Sequence, residues 1–99
     1  MKRIMHMVWL RFSDGTTPAQ LKAWEEATSA LGTVDGVSDI LIGTDIERRG
    51  DHPYTHAVVM TFRDEETRQR FRHTPPHDKL RDDFKTVIAD RRVFDMEIP

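Results

Sequence analysis

The chain has 99 residues, which is the size of one domain, and it carries 15 basic and 17 acidic residues. The resulting net charge of −2 gives no electrostatic basis for binding nucleic acid or an anionic membrane. The absence of cysteine excludes disulfides, thiolate metal sites and cysteine nucleophiles, and it suits a reducing cytoplasm. No apolar run has the length of a signal-peptide core or a membrane span, so we expect a cytoplasmic protein with a single domain over residues 1–99.

The first predicted element belongs to a pattern that occurs twice. Residues 6–14 and 56–64 share His-x-Val-x-Leu/Met-x-Phe-x-Asp, and this period of two predicts strands at about 3–12 and 55–62. One face of these strands carries a histidine followed by apolar side chains: His6, Val8, Leu10 and Phe12 in the first copy, and His56, Val58, Met60 and Phe62 in the second. The repeat predicts a domain made of two β-α-β halves.

Between the two copies, the sequence predicts one helix and one strand. Thr17 and Gln20 form a capping box around Pro18, and Gly32 is a typical helix end. The helix has a semi-apolar stripe made of Leu21, Trp24, Thr28 and Leu31. A strand follows over about 37–46, and the polar residues 48–53 turn the chain toward the second copy.

After the second copy, two helical segments and a last strand are predicted. The acidic residues 64–66 favour the first turn of a short helix that contains Phe71, and the proline pair 75–76 interrupts it. A further helix is expected to begin near His77, with an apolar stripe of Leu80, Phe84, Val87 and Ile88. The last strand is expected at about 93–98.

This order of elements is typical of an α+β, ferredoxin-like fold, an antiparallel sheet with helices on one face. The other face of the sheet is also apolar, and the chain has no further helices to cover it. We therefore predict a homodimer, because a second subunit packed sheet against sheet is the simplest cover. The predicted interface carries Met5, Met7, Trp9, Ala57 and Val59.

Nearly the whole chain resembles the Dabb family of stress-responsive dimeric α/β-barrel domains. The segments that carry the resemblance are residues 6–12, Asp35-Gly36-Val37 leading to Gly43, residues 54–62, the histidine after the proline pair at His77, and residues 93–97. The resemblance implies the ferredoxin-like fold and a barrel formed by the sheets of two subunits. It does not imply a single activity.

A plant polyketide cyclase of that family closes a linear tetraketide by aldol condensation without a metal or an organic cofactor. Its chemistry is attributed to a tyrosine and a histidine on the segment that matches residues 71–77 here. The histidine is present as His77, whereas Phe71 stands at the tyrosine position and has no hydroxyl to donate. The resemblance therefore implies a related, cofactor-free cavity whose chemistry differs from that of the cyclase.

His77 is the candidate catalytic base, and His6 is the candidate assistant. His77 shares a helix stripe with Leu80 and Phe84, so it is expected to face the sheet near the start of the first strand. A position in the first turn of a helix disfavours the imidazolium, and a neutral imidazole can accept a proton from a carbon acid. The alternative is structural, with His77 packing the helix start and His6 bonded to a backbone carbonyl.

The remaining candidate residues form the wall of an apolar cavity. The residues expected to contact a small apolar or aromatic substrate are Val8, Leu10, Trp24, His56, Val58, Met60, Phe71 and Phe84. A metal shared by the strand histidines is not expected. Antiparallel pairing would place His6 near Phe62 and His56 near Phe12, and six residues along a strand separate the rings by roughly 20 Å.

Three functions fit these observations. The leading hypothesis is a cofactor-free lyase, cyclase or isomerase that abstracts a proton next to a carbonyl. A second is an antibiotic-biosynthesis-type monooxygenase, whose dimeric barrel is similar and whose activity would consume oxygen. The third is a non-enzymatic, stress-related structural or binding protein, which predicts high thermal stability and a function that tolerates His77→Ala.

Overall fold

The computed structural model describes residues 2–99, which fold into four strands and three helices. Their bounds are β1 Arg3–Phe12, α1 Pro18–Ser29, β2 Val37–Thr44, β3 His56–Phe62, α2 Glu65–Phe71, α3 Pro75–Phe84 and β4 Ile88–Ile98. The strands form one antiparallel sheet in the order β2-β3-β1-β4. The helices bury one face of that sheet, so the predicted ferredoxin-like fold is confirmed.

The predicted start of α1 is confirmed, and its predicted end is wrong. The backbone N–H of Gln20 donates to Oγ1 of Thr17 at 3.2 Å, and the backbone N–H of Thr17 donates to Oε1 of Gln20 at 2.8 Å. The α-helix ends at Ser29 and tightens into a 3-10 turn, Ala30–Thr33, which includes Gly32. Gly32 therefore does not terminate the helix, because the chain continues as a turn of tighter pitch.

The predicted start of α3 also needs a correction. The two prolines are the first residues of this helix, which begins at Pro75 and not near His77. The first backbone N–H groups of a helix have no partner within it, so proline costs little there. The helix ends at Phe84, and Val87 and Ile88 therefore lie outside it.

The last strand is longer than the sequence suggested. β4 begins at Ile88, five residues before the predicted Val93, and includes the charged pair Arg91-Arg92. It is an edge strand that pairs only with β1, so its charged side chains remain accessible and are compatible with the ladder. At the opposite side of the sheet, β2 ends at Thr44 and β3 begins at His56, two and one residues inside the predicted bounds.

The register between β1 and β3 brings the two strand histidines closer than expected. His6 lies opposite Met60, and Leu10 lies opposite His56. The two histidines are thus offset by four residues, about 13 Å, and not by the predicted 20 Å. Ile4, rather than His6, is the residue opposite Phe62.

A glycine turn directly before β2 packs against the start of α2. Gly36 has φ +88°, and a Cβ at this position would lie 2.6 Å from Oγ1 of Thr67. Its carbonyl accepts a hydrogen bond from the backbone N–H of Arg63 at 2.8 Å. Asp64 caps α2 by accepting from both the backbone N–H and the hydroxyl of Thr67, each at 2.8 Å. Only glycine fits this turn without displacing the helix start.

The two faces of the sheet differ in their cover. The helix-facing side and the helices enclose the core, which consists of Ile4, Leu10, Trp24, Leu31, Val34, Val37, Val58, Met60, Phe62, Phe71 and Phe84. The outer face carries the predicted interface residues, and Leu41, Phe94 and Met96 extend it. Trp9, Leu41 and Phe94 are 49%, 69% and 62% exposed, so a single chain leaves this apolar face uncovered. Among residues 2–99, no helix is long and apolar enough to cross a membrane.

Candidate functional site

A cavity of about 400 Å³ lies between the helix-facing side of the sheet and the helices, a volume typical of small-molecule sites. Eight of the ten residues predicted for the site line it: His6, Val8, Leu10, Trp24, Val58, Met60, Phe71 and His77. The apolar strand residues Val8 and Leu10 come from β1, and Val58 and Met60 come from β3. The alternation of each strand directs them to the same face. His56 and Phe84 do not line this cavity.

His56 is separated from the cavity by the aromatic residues that cover it. Its ring packs edge-on against Phe12 at 5.0 Å and against Trp24 at 6.0 Å between centroids. Its Nδ1 shares a 2.8 Å hydrogen bond with the hydroxyl of Thr55. Burial is the main cause that lowers the pKa of His56. His56 borders a second groove near Trp9 instead, and Phe84 packs within the core.

His6 is held by an acidic residue that the sequence did not single out. It lies opposite Asp95 on β4, and its Nδ1 is 2.5 Å from Oδ1 of Asp95. The carboxylate can only accept, so the Nδ1–H of His6 donates and its Nε2 remains an acceptor in the neutral ring. The partner of His6 is thus a side chain and not the backbone carbonyl of the structural alternative. The ring also stacks on Phe62 at 5.0 Å.

A short network fixes Asp95 on its other side. The guanidinium of Arg68 donates to Oδ2 of Asp95 at 3.4 Å and to both carboxylate oxygens of Glu65 at 2.6 and 2.7 Å. The hydrogen bond from Arg68, followed by that from Gln69, lowers the pKa of Glu65 to about 2. Asp95 therefore contacts an imidazole and a permanent cation at once, which restricts its side chain.

His77 has a different environment from His6. It is the third residue of α3, and its ring lies 5.0 Å from that of Phe71, which is 5.8 Å from the ring of His6. Its Nδ1 atom is buried and has no hydrogen-bond partner among residues 2–99. The pKa of His77 is lowered chiefly by burial and then by the charges of Arg81 and Arg91. The neutral form predicted from the helix start is thus favoured, although burial is the main cause.

Thr28 is the second polar residue at the cavity without a partner. Its Oγ1 is buried, and no hydrogen bond to it exists in the part of the chain that the structure describes. Thr28 lies on α1 one turn after Trp24, and both line the cavity. Buried polar groups normally have partners, so the hydroxyl of Thr28 and the Nδ1 atom of His77 are two exceptions on residues that line the same cavity.

The sequence interpretation missed the charged and polar residues that line the cavity, which we call its rim, and some of the apolar ones. The lining residues outside the prediction are Thr28, Leu31, Phe62, Arg68, Arg72, His73, Leu80, Arg81, Ile88, Arg91, Val93 and Asp95. Three of them follow a period of two along β4, where Arg91, Val93 and Asp95 pair with Leu10, Val8 and His6. That alternation was a usable signal, and it required the strand to begin before Val93. Within residues 2–99, no group of three or more metal-ligating side chains could hold a metal ion.

The comparisons with known proteins agree with this architecture. Residues 4–98 match the family model described as "Stress responsive A/B Barrel Domain", Dabb. The chain belongs to the Dabb family. Olivetolic acid cyclase from Cannabis sativa is a relative with 26% identity over 94 residues, which cover 93% of each chain.

Two solved structures show how closely the fold is shared. A hydroxynitrile lyase from Passiflora edulis has a TM-score of 0.86 at 19% identity, with 99% of this chain and 94% of that one covered. A protein of unknown function from Thermobifida fusca, described as dimeric and ferredoxin-like, has a TM-score of 0.83 at 22% identity, with 98% and 92% covered. At these identities the two likenesses establish the fold alone.

Proposed function

We propose that this Dabb protein binds a small organic molecule in its cavity and abstracts a proton next to a carbonyl group without a cofactor. The observation that carries this proposal is His77, a residue of the cavity wall whose buried Nδ1 atom has no hydrogen-bond partner among residues 2–99. Leaving such an atom unpaired costs stability, and in this proposal the bound substrate supplies the missing partner. Two proteins of this fold, a cyclase and a lyase, are enzymes by name, which supports a catalytic role.

In this proposal the two histidines have different tasks. The proton of the substrate C–H bond moves to His77, and the electron pair of that bond moves to the carbonyl oxygen as an enolate. His77 suits the role because its lowered pKa keeps it neutral near pH 7. His6 assists, since Asp95 fixes the tautomer and direction of its ring at the same cavity. Phe71 contributes an apolar wall and no proton.

The proposal includes a homodimer that acts in the cytoplasm. The outer face of the sheet is apolar and uncovered in one chain, and the Thermobifida fusca neighbour is described as dimeric. Light scattering at micromolar concentration should give twice the chain mass of 11.6 kDa. The substitution Met7→Lys, at the centre of this face, should shift the mass toward that of the monomer. A monomeric mass for the unsubstituted protein would contradict the dimer.

The catalytic proposal can be tested without knowing the natural substrate. Ligands can be found by a thermal-shift screen of small aromatic acids, polyketide-like lactones, quinols, hydroxynitriles and olivetolic acid. A ligand at 100 times its Kd adds about 2.7 kcal/mol to the free energy of unfolding. Each kcal/mol raises the melting temperature by about 4–8 °C in a domain of this size. Any carbonyl-bearing ligand is then incubated in D2O, and deuterium incorporation next to the carbonyl is followed by NMR.

The matched variants for this test are His77→Gln and His56→Gln. Loss of the base should slow deuterium incorporation by about 10²- to 10⁴-fold. His56→Gln should retain the rate, because that ring does not line the cavity. Equal rates for the two variants would exclude His77 as the base. No ligand for the wild-type protein, together with function unaffected by His77→Gln, would favour the non-enzymatic alternative.

A further inference from the structure

The side chains around the cavity carry a net positive charge, although the whole chain is slightly negative. The chain carries a net charge of −2, whereas the cavity is lined by four arginines and one aspartate. The arginines are Arg68 on α2, Arg72 directly after it, Arg81 on α3 and Arg91 on β4. They come from three separate elements, so the concentration of positive charge arises from the tertiary fold.

Only two of these arginines are neutralised by ion pairs. Arg68 pairs with Glu65 and Asp95, and Arg81 pairs with Asp78 and Asp82 at 3.1 and 3.2 Å. Within residues 2–99, no carboxylate lies at ion-pair distance from the side chain of Arg72 or of Arg91. The cavity therefore has two arginines whose guanidinium groups remain available to a ligand.

Arg91 is directed to the cavity by the register of the edge strand. It pairs with Leu10, a cavity residue, whereas its neighbour Arg92 pairs with Trp9 on the outer face. Val93, which faces the same side, is half exposed, so the helices cover this part of β4 incompletely. The positive charge of Arg91 is also felt at His77, whose pKa it helps to lower. Arg91 and the candidate base thus belong to one electrostatic environment.

We propose that the natural ligand is an organic anion whose carboxylate or phosphate group is bound at the cavity rim by Arg72 and Arg91. The planar guanidinium offers paired N–H donors that match two oxygens of either group. The apolar body of the ligand then lies against Trp24 and Met60, and its reactive carbon lies near His77. This inference specifies the substrate class of the proposed function and rests on it.

The probes for this inference form a matched set with one scaffold and different charges. A 4-alkylbenzoate, its methyl ester and the corresponding aryl phosphate share an apolar body and differ in the group that would reach the rim. Binding is measured by calorimetry for the wild-type protein and for Arg72→Gln, Arg91→Gln and Arg49→Gln. Arg49 is an exposed loop arginine paired with Glu47, so its substitution is a control for the change in net charge.

The charged probe should bind to the wild-type protein at least ten-fold more tightly than the ester. Each rim substitution should remove about ten-fold of the affinity for the anion and little of the affinity for the ester, since hydrogen bonds to charged groups are the stronger ones. Raised salt should weaken the binding of the anion more than that of the ester, because the arginines are exposed and their charges are screened. The Arg49→Gln protein should bind all three probes as the wild-type protein does. Comparison of the benzoate with the aryl phosphate shows which anionic group is preferred.

The outcomes separate this inference from the function on which it rests. Equal affinities for the anion and the ester would overturn the anion inference and leave the ligand cavity intact. Weakened binding of both probes by the same factor in every rim variant would also contradict it. Absence of binding by all three probes would overturn the ligand cavity and the inference together. A second readout is the NMR titration of His77, since a bound anion that offsets Arg91 should raise the pKa of this histidine.

Discussion

The two histidine-led strand segments have nearly the same sequence pattern and very different surroundings. At the His56 end, the ring is enclosed by Phe12 and Trp24 and bonds to the adjacent Thr55. At the His6 end, the ring bonds to a carboxylate from a neighbouring strand and borders a cavity. The repeated pattern therefore specifies strands and faces, whereas the chemistry of each histidine depends on the element beside it.

The difference originates from the order of strands in the sheet. β1 has the edge strand β4 on one side, and β4 supplies Asp95 to His6. β3 has β2 on the corresponding side, where Thr44 lies opposite His56. The bulky Trp24 of α1 then covers one end of the sheet, and the prolines at the start of α3 bring His77 to the other. The His56 end is consequently packed with aromatic side chains, and the cavity extends from Trp24 toward the end that holds His6 and His77.

The largest expected effect is a loss of stability, and it tests the aromatic packing at the His56 end of the sheet. Trp24 is almost completely buried, so Trp24→Ala should lower the free energy of unfolding by about 3–5 kcal/mol. Urea denaturation followed by circular dichroism measures this loss, which should be independent of protein concentration. A loss below about 1 kcal/mol would mean that the His56 end is not packed as the structure describes.

Trp9→Ala is the matched control for that experiment. Trp9 is half exposed on the outer face of the sheet, so it contributes little to the core of one chain. If this face forms the proposed dimer, the loss of stability should depend on protein concentration, because dissociation and unfolding are then linked. The two tryptophans thus distinguish packing within a chain from packing between chains.

A smaller effect on stability, with a larger one on activity, is expected from Asp95→Asn. The pair of His6 and Asp95 is partly exposed, so its loss should cost about 1 kcal/mol or less. The neutral amide no longer fixes the His6 tautomer, and the proposed deuterium incorporation should fall by roughly ten-fold or more. Glu97→Gln, an exposed residue of the same strand paired with Lys2, is the control for lost charge. A purely structural Asp95 would leave the rate and its pH profile unchanged.

Much of the fold could be predicted because its signals are local. The period of two in each histidine-led segment and the capping box at Thr17 depend only on neighbouring residues, and both were confirmed. The boundaries that failed depend on tertiary context. A charged run such as Asp90-Arg91-Arg92 lacks an apolar strand pattern in isolation and becomes a strand because β1 offers it an unpaired edge.

The candidate site was predictable in its apolar part and not in its polar part. Val8, Leu10, Val58 and Met60 follow from strand alternation, and the cavity contains all four. Asp95 is 89 residues from His6 in the sequence, and only the β1–β4 register brings them together. Isolated charged residues are mostly solvated, so a single sequence gives no reason to select this aspartate among many.

The smallest expected effect concerns the dependence of stability on pH, and it compares His77 with His56. Burial lowers the pKa of both below the value of about 6.5 expected in the unfolded chain. The unfolded chain therefore binds protons first as the pH falls below about 7, and the melting temperature should decline between pH 7 and 5. His77→Gln and His56→Gln should each flatten this decline, and the decline below about pH 4 should remain. That lower part belongs to carboxylates with lowered pKa, such as Glu65, whose pKa is about 2. A melting temperature that stays constant from pH 7 to 5 in the wild-type protein would show that neither ring is held neutral by the fold.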